Sequence, residues 1–367
     1  MSYPRKLKIT VPCSSSNIGP GFDVLGVTLS LYLTLTIQIL PKYSNDNKTN
    51  FNEDIKLSYS GEGSSHVSLS TSQNLITKTA LYVLASNNIH GFPSPMIIHV
   101  DNEIPFGRGL GSSGAAVVAG VILGDVAGNL GLTSDRLLDY CLMIERHPDN
   151  VTAALMGGFI ASYLRELDPK DIEAPVIPHS ETLGDGTTAN ETAVEESIPI
   201  VPKGIGHYIK LNWAKEIKAI TIIPQFEIAT ATARSVLPLS YERQDVVFNL
   251  QRLAVLTTAL SQSPPDADLI FQAMQDKVHQ PYRMELVPGL SEILSSVNPK
   301  THPGLLGICL SGAGPTILAL AINNFDLIAD TITKALKRKR DTQVIVKTLD
   351  VVDKGAQVIE LTDNSQS

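Results

Sequence analysis

Pro105-Phe106-Gly107-Arg108-Gly109-Leu110-Gly111-Ser112-Ser113-Gly114 runs directly into Ala115-Ala116-Val117-Val118-Ala119, small apolar residues that read as a helix over 113–128. Glycines let a ligand approach the backbone without side-chain bulk, and the first turn of a helix offers unpaired N–H groups at the positive end of its dipole. Ser112 and Ser113 add hydroxyls suited to a phosphate oxygen or Mg²⁺. The pattern predicts a grip for a polyphosphate. Two familiar nucleotide patterns do not fit it. Residues 109–114 match G-x-G-x-x-G, but a dinucleotide fold expects an acidic residue about 20 positions on, where Asn129-Leu130-Gly131 stand instead. A P-loop needs Gly-Lys-Ser/Thr before its helix, and this loop has no lysine. The plain alternative is a turn that only lets strand and helix pack closely. Three spaced glycines, paired serines and a helix start favour the anion.

Upstream, Leu29, Leu31, Leu33, Leu35, Ile37 and Ile39 alternate with mostly polar residues and predict a half-buried strand. Strands also read over 7–11, 55–59, 96–104 and 158–164, with helices over 74–85, capped by Asn74, and 134–146. Downstream come a strand over 218–224, helices near 229–236, 241–262, 267–276 and 290–297, strands over 305–310 and 316–321, a helix over 325–339, and strands near 344–349 and 358–361. Strands followed by helices in each half predict an α+β protein of two domains, 1–165 and 207–367. Between them, Glu166 to Lys203 holds nine acidic residues, two lysines and no aromatic residue. It has too little apolar surface to bury itself, so 166–206 reads as an acidic insertion at the domain junction. Two more loops could meet a phosphate. Ser311-Gly312-Ala313-Gly314-Pro315 reads equally well as a tight hairpin turn. Val11 to Asp23 joins two strands and carries one carboxylate and one amide.

The bulk composition narrows the partners. The 367 residues are 43% apolar and 18% charged, enough for a sizeable core, and carry a net charge of −8. No global positive field is present to hold nucleic acid or an anionic membrane, so neither is expected as a partner. Cys13, Cys141 and Cys309 form no CxxC pair and read as thiols in a reducing cytosol. The first residues, MSYPRKLKITVPC, lack a signal-peptide apolar region, which makes a cytoplasmic location the expectation. The uncharged run 304–322 is interrupted by Ser311 to Pro315 and reads as two buried strands rather than a membrane span. The cluster Lys334, Lys337, Arg338, Lys339 and Arg340 reads as a solvated helix end complementing the dipole.

In order and spacing, the loops at 12–23, 105–114 and 311–315 resemble the three motifs of the GHMP kinases, over nearly the whole chain. The first, Ser14-Ser15-Ser16-Asn17-Ile18-Gly19-Pro20-Gly21-Phe22-Asp23, is most similar to the homoserine kinases of that superfamily. So are His147-Pro148-Asp149-Asn150, Ala233-Arg234-Ser235-Val236-Leu237-Pro238, Gln280-Pro281-Tyr282-Arg283 and Leu286-Val287-Pro288-Gly289. The resemblance implies an N-terminal domain like the second domain of ribosomal protein S5 and a ferredoxin-like C-terminal domain, with the active site in the cleft between them. It implies ATP and Mg²⁺ as cofactors, L-homoserine as substrate, a step of threonine biosynthesis, and a homodimer.

Site roles follow from the same resemblance. Pro105, Gly107, Arg108, Gly109, Leu110, Gly111, Ser112, Ser113, Gly114 and Gly312 would bind ATP. Ser113 and Glu145 would hold Mg²⁺; Glu145 precedes His147 by two residues, where many relatives place a glycine-serine stretch. Homoserine is a zwitterion with a weakly acidic alcohol. Arg234 and Arg283 would fork onto its carboxylate with help from His147. Asp23, with Asn17 nearby, would pair with its ammonium. Asn150 would orient the hydroxyl, and Asp149 is the fallback base if the alcohol needs one. Outside the motif context these residues read as a solvated arginine, a turn aspartate and a structural histidine. A kinase for another small alcohol, such as mevalonate or shikimate, and a silent ligand sensor on the same fold are the competing readings.

Overall fold

A computed structural model describes residues 5–41, 49–168 and 200–361. Strand β1 (Arg5–Ser16) pairs antiparallel with the long β2 (Leu25–Ile39). In β2 the leucines and isoleucine at 29, 31, 33, 35 and 37 are buried while Thr36 is exposed, as the period-two pattern requires. Fifteen residues make β2 long enough to serve two neighbours on one edge. Its second half pairs with β4 (Met96–Asn102), which lies parallel to β3 (Ile55–Gly61). Its first three residues pair with β5 (Phe159–Leu164), which continues into β6 (Gly206–Leu211). Helices α1 (Leu75–Ala85), α2 (Ser112–Gly128), α3 (Ser134–Ile144) and α4 (Pro148–Met156) pack with this sheet around one core. Helix α2 has no polar stripe because it is buried from Gly114 to Gly124 apart from Ala116. At Gly120 a Cβ would sit 2.5 Å from the carbonyl oxygen of Ile76, so α1 and α2 touch backbone to backbone.

The second sheet contains β7 (Lys218–Pro224), β8 (Leu305–Leu310), β9 (Ile317–Ala321) and β10 (Val344–Leu349) in the order β10-β7-β9-β8, all antiparallel. Strands β8 and β9 are buried at every residue because both sheet faces are covered. Ala219, Ile223, Leu318 and Leu320 join the first core, whereas Ile220, Ile222, Ile317 and Ala319 form a second core under α9 (Leu290–Ser296) and α10 (Phe325–Lys339). The short α5 (Thr230–Ser235) and α8 (Gln280–Arg283) and the longer α6 (Arg243–Ala259) and α7 (Ala267–Ala273) complete the described helices.

Three features depart from the sequence reading. The division at 206/207 does not separate the sheets: β6 pairs with β5, and β11 (Gln357–Glu360) crosses back to pair with β1. The ends of the acidic insertion meet within the first sheet and not at a junction between the sheets, since Arg165 N–H donates to Ile205 O at 2.8 Å; residues 169–199 lie outside the described residues. The third departure is α4. The sequence reading placed no helix there; Pro148 occupies its first turn, where no N–H is needed.

Helix α4 crosses the start of β2 so closely that a Cβ on Gly26 would lie 1.8 Å from the carbonyl oxygen of Asp149. Gly26→Ala should therefore cost about 1–3 kcal/mol of stability through overpacking. Chemical denaturation would show a lower midpoint; an unchanged midpoint would mean that α4 is free to move off the strand.

Candidate active site

The three loops flagged in sequence converge. The Ser311 hydroxyl donates to the carbonyl of Gly109 at 2.6 Å and lies 2.7 Å from the hydroxyl of Ser15. Its one proton is spent on Gly109, so Ser15 is the donor of the second bond. Gly312 N–H donates to Ser16 O at 2.9 Å, and Thr316 N–H to Arg108 O at 3.3 Å. Gly109 (φ +78°) and Gly111 (φ +69°) both adopt left-handed backbone. A Cβ would meet Ser311 O at 2.2 Å on the first and the Ser14 hydroxyl at 2.3 Å on the second. Conformation and space exclude any side chain there. Gly111 caps α2 without a side-chain acceptor, which leaves the N–H groups of the first turn, at Ser112 and Ser113, open to a ligand.

Glu145 follows directly on α3, in extended backbone that turns its carboxylate inward to 5% exposure. Its Oε2 accepts from Ser113 Oγ at 3.1 Å, and its Oε1 meets His147 Nδ1. The two-residue spacing therefore does reach the phosphate loop. Burial pulls the His147 pKa down, but the hydrogen bond and charge of Glu145 outweigh it and leave it raised. Three residues further along, Asn150 Oδ1 accepts from the Ser14 hydroxyl.

Asp149 is buried, and its Oδ2 accepts from Asn17 N–H at 3.2 Å while Oδ1 has no hydrogen-bond partner among the described residues. Burial above all, and then the charge of Asp23, push its pKa up to about 7, against the opposing pull of His147, Asn17 N–H and Arg234. Asn17 Oδ1 accepts from Asp23 N–H at 2.9 Å and holds the tight loop before β2. Asp23 Oδ1 accepts from Arg234 Nη2 at 2.7 Å, with each side chain about one-third exposed (35% and 34%). Arg234 rides on α5. Arg283 lies deeper, at 1% exposure; its Nε donates to Ala233 O at 3.0 Å and its Nη1 to Gly312 O at 3.1 Å. Burial, then the neighbouring Arg234, lower its pKa to about 10.

The expected residues are thus brought together, but three differ from expectation. Two of the Arg283 nitrogens already serve protein carbonyls, so much of its fork is structural. Arg234 and Asp23, expected to face opposite ends of a substrate, face each other. Sequence reasoning missed the Ser15–Ser311 contact and His279, which lies against Arg283 and Gly19. The serines stood in quoted motifs, but neither periodicity nor spacing marked them as partners.

Comparison with known proteins agrees with this geometry. The family model for the GHMP kinases N terminal domain matches residues 74–158, and the GHMP kinases C terminal model matches residues 257–338. Homoserine kinase of Saccharomyces cerevisiae is 59% identical over 330 residues, covering 89% of this chain and 92% of that protein. Homoserine kinase of Candida albicans is 51% identical over 356 residues, covering 96% and 97%. The crystal structure of homoserine kinase from Cytophaga hutchinsonii shares the fold, with a TM-score of 0.70 at 23% identity over 98% of this chain and 99% of that one. The chain belongs to the GHMP kinases and, within them, to the homoserine kinase family.

Asp149 makes stability depend on pH. Its ordinary value is 3.8 and its folded value about 7, so between these the folded protein holds a proton that the unfolded chain has lost. The associated stability is fully present below pH 3.8 and is lost as pH rises through about 7. Asp149→Asn keeps an acceptor for Asn17 and removes the titration. Melting temperatures across pH 4–8 should show the variant gaining steadily on the wild type up to about pH 7 and then holding level; a gap independent of pH would contradict this.

Proposed function

We propose that this chain transfers the γ-phosphoryl group of ATP to the side-chain hydroxyl of L-homoserine, giving O-phospho-L-homoserine for threonine biosynthesis. The observation that carries the reading is the adjacency of Asp149 and Asn150 on α4. Asp149 holds the loop of Asp23, and Asn150 bonds Ser14, whose N–H donates to Leu110 O in the phosphate loop. A charged receptor and a phosphate grip therefore stand one residue apart, as a short amino alcohol requires.

In this reading Arg234 takes the substrate carboxylate and Asp23 its ammonium. Their mutual ion pair is partly solvated and worth only about 0–1 kcal/mol. A zwitterion can replace it by giving each member a new partner of the right sign, whereas a neutral alcohol would leave one charge unmatched. Arg283 backs Arg234 from beneath, and His147 assists. With Asn150 Oδ1 occupied by Ser14, its amide N–H groups are left to orient the substrate hydroxyl.

The phosphates of ATP would lie against the open N–H groups of Ser112 and Ser113. Pro105, Gly107, Arg108, Gly109, Leu110, Gly111, Gly114 and Gly312 shape that surface. Among the described residues no three His, Cys, Asp or Glu side chains converge as a metal cage. Ser113 Oγ and Glu145 Oε2, 3.1 Å apart, offer two hard oxygen ligands. That set suits Mg²⁺ carried on phosphate oxygens and retaining waters. When bound there, Mg²⁺ would neutralise charge on the transferred phosphoryl group. A loose transition state needs little early deprotonation, so positioning and charge stabilisation can supply most of the rate. Asp149 is the fallback base, since its pKa of about 7 leaves an ionised fraction at neutral pH.

The three cysteines are free and buried, in keeping with a reducing compartment, which we take to be the cytoplasm. No helix among the described residues is long and apolar enough to cross a membrane. Val246, Val247 and Leu250 are exposed on α6 and support a homodimer. Light scattering should return about twice the 39.5 kDa chain mass; the mass of a single chain would refute the dimer.

The functional test is ATP consumption across L-homoserine, mevalonate and shikimate, with homoserine the expected substrate. Arg234→Leu should weaken homoserine binding by about 2–5 kcal/mol, the cost of leaving a substrate carboxylate that binding desolvates without its partner, and leave ATP affinity nearly unchanged. Equal loss of both affinities would show that Arg234 has been misassigned.

A further inference from the structure

His279 lies outside every motif that pointed to the substrate site, yet it is fully buried beside Arg283. Nε2 is 3.0 Å from the carbonyl oxygen of Gly19, in the loop that carries Asp23. Nδ1 is 3.3 Å from Arg283 Nη1. A carbonyl can only accept and a guanidinium can only donate. The ring must therefore carry its proton on Nε2 and a lone pair on Nδ1, a single neutral tautomer. Burial lowers the His279 pKa, Asp276 opposes that and Arg283 adds to it, with the neutral ring as the outcome.

The imidazole is also held in place. Asp276 Oδ2 accepts from the backbone N–H groups of His279 at 3.0 Å and Gln280 at 2.7 Å. Phe22 stacks on the ring with centroids 5.4 Å apart and planes 23° apart. Phe22 immediately precedes Asp23, and Arg283 bonds the carbonyl of Ala233, which immediately precedes Arg234. One ring thus reaches the chain neighbours of both ends of the receptor, Phe22 beside Asp23 directly and Ala233 beside Arg234 through Arg283.

We propose that His279 is a positioning residue that sets the span of the zwitterion receptor, tying Arg283 to the Gly19 carbonyl through its two ring nitrogens. This rests on the reading of Asp23, Arg234 and Arg283 as substrate groups. No contact of His279 joins the phosphate loop directly, so its influence falls on the amino-acid half of the site. A residue that merely filled the core would affect both substrates alike.

Steady-state kinetics on the full chain separates these possibilities. Wild-type turnover of L-homoserine comes first; without it the parent reading fails, whatever the variants do. His279→Leu should raise the homoserine KM at least about tenfold, the scale of one hydrogen bond to a charged partner, while the ATP KM stays within about twofold. His279→Asn places an oxygen near the position of Nδ1 and should recover most of the loss. His279→Gln places a donor near the position of Nε2, gives Arg283 no acceptor, and should recover less. If the leucine variant does not fold, the order of the asparagine and glutamine variants decides. The proposal is overturned by an unchanged homoserine KM in the leucine variant, by both KM values rising together, or by asparagine performing no better than glutamine.

Discussion

One serine hydroxyl ties the site together. Ser311 Oγ gives its proton to Gly109 O and receives a proton from Ser15, which joins loops separated by about two hundred residues or more in sequence. Each such bond adds only about 1 kcal/mol net to stability. Their value is geometric: they bring a strand end, a helix start and a hairpin into backbone contact, at a separation where Gly109 has no room for a side chain. The open N–H groups of α2 lie where that contact puts them, and the third loop passes its position to Arg283 through Gly312 O.

A second constraint is the start of α4. Successive residues on a helix point about 100° apart. His147 lies just before the first turn and Asp149 and Asn150 within it, so they turn to three different partners, Glu145, Asn17 and Ser14. A tetrapeptide thereby links Glu145, the loop that carries Asp23, and Ser14, whose N–H reaches Leu110 O in the glycine-serine loop. The arrangement buries a carboxyl group whose Oδ1 has no hydrogen-bond partner among the described residues, and burial makes Asp149 hold its proton to higher pH.

The proposed substrate half of the site is a balance of charges rather than a preformed cavity. Asp23 and Arg234 satisfy each other, and Arg283 and His279 hold the scaffold beneath them. A ligand with a single charge would strand one member of the surface pair. A zwitterion strands neither, so in the proposed reading selectivity comes from exchange of partners and not from shape alone.

Much of this was legible in the chain. Leu29 to Ile39 announced β2 by alternation, the glycine-serine loop announced the start of α2, and the uncharged run around Ser311 announced a buried hairpin. Motif order picked out Asp23, Glu145, His147, Arg234 and Arg283 together. Periodicity and turn chemistry act over a few residues, so they can be read locally. The pairing of β11 with β1, the placement of β6 in the first sheet, the Ser15–Ser311 bond and the role of His279 could not be read that way. Strand β6 is mostly exposed and carries little apolar signal, and His279 looks like any other histidine until Gly19 and Arg283 are brought against it. The sequence alone determined which residue types and local elements were present. Which of them became partners was decided by tertiary packing, because contacts between distant segments depend on which faces and edges remain open once the two cores have closed.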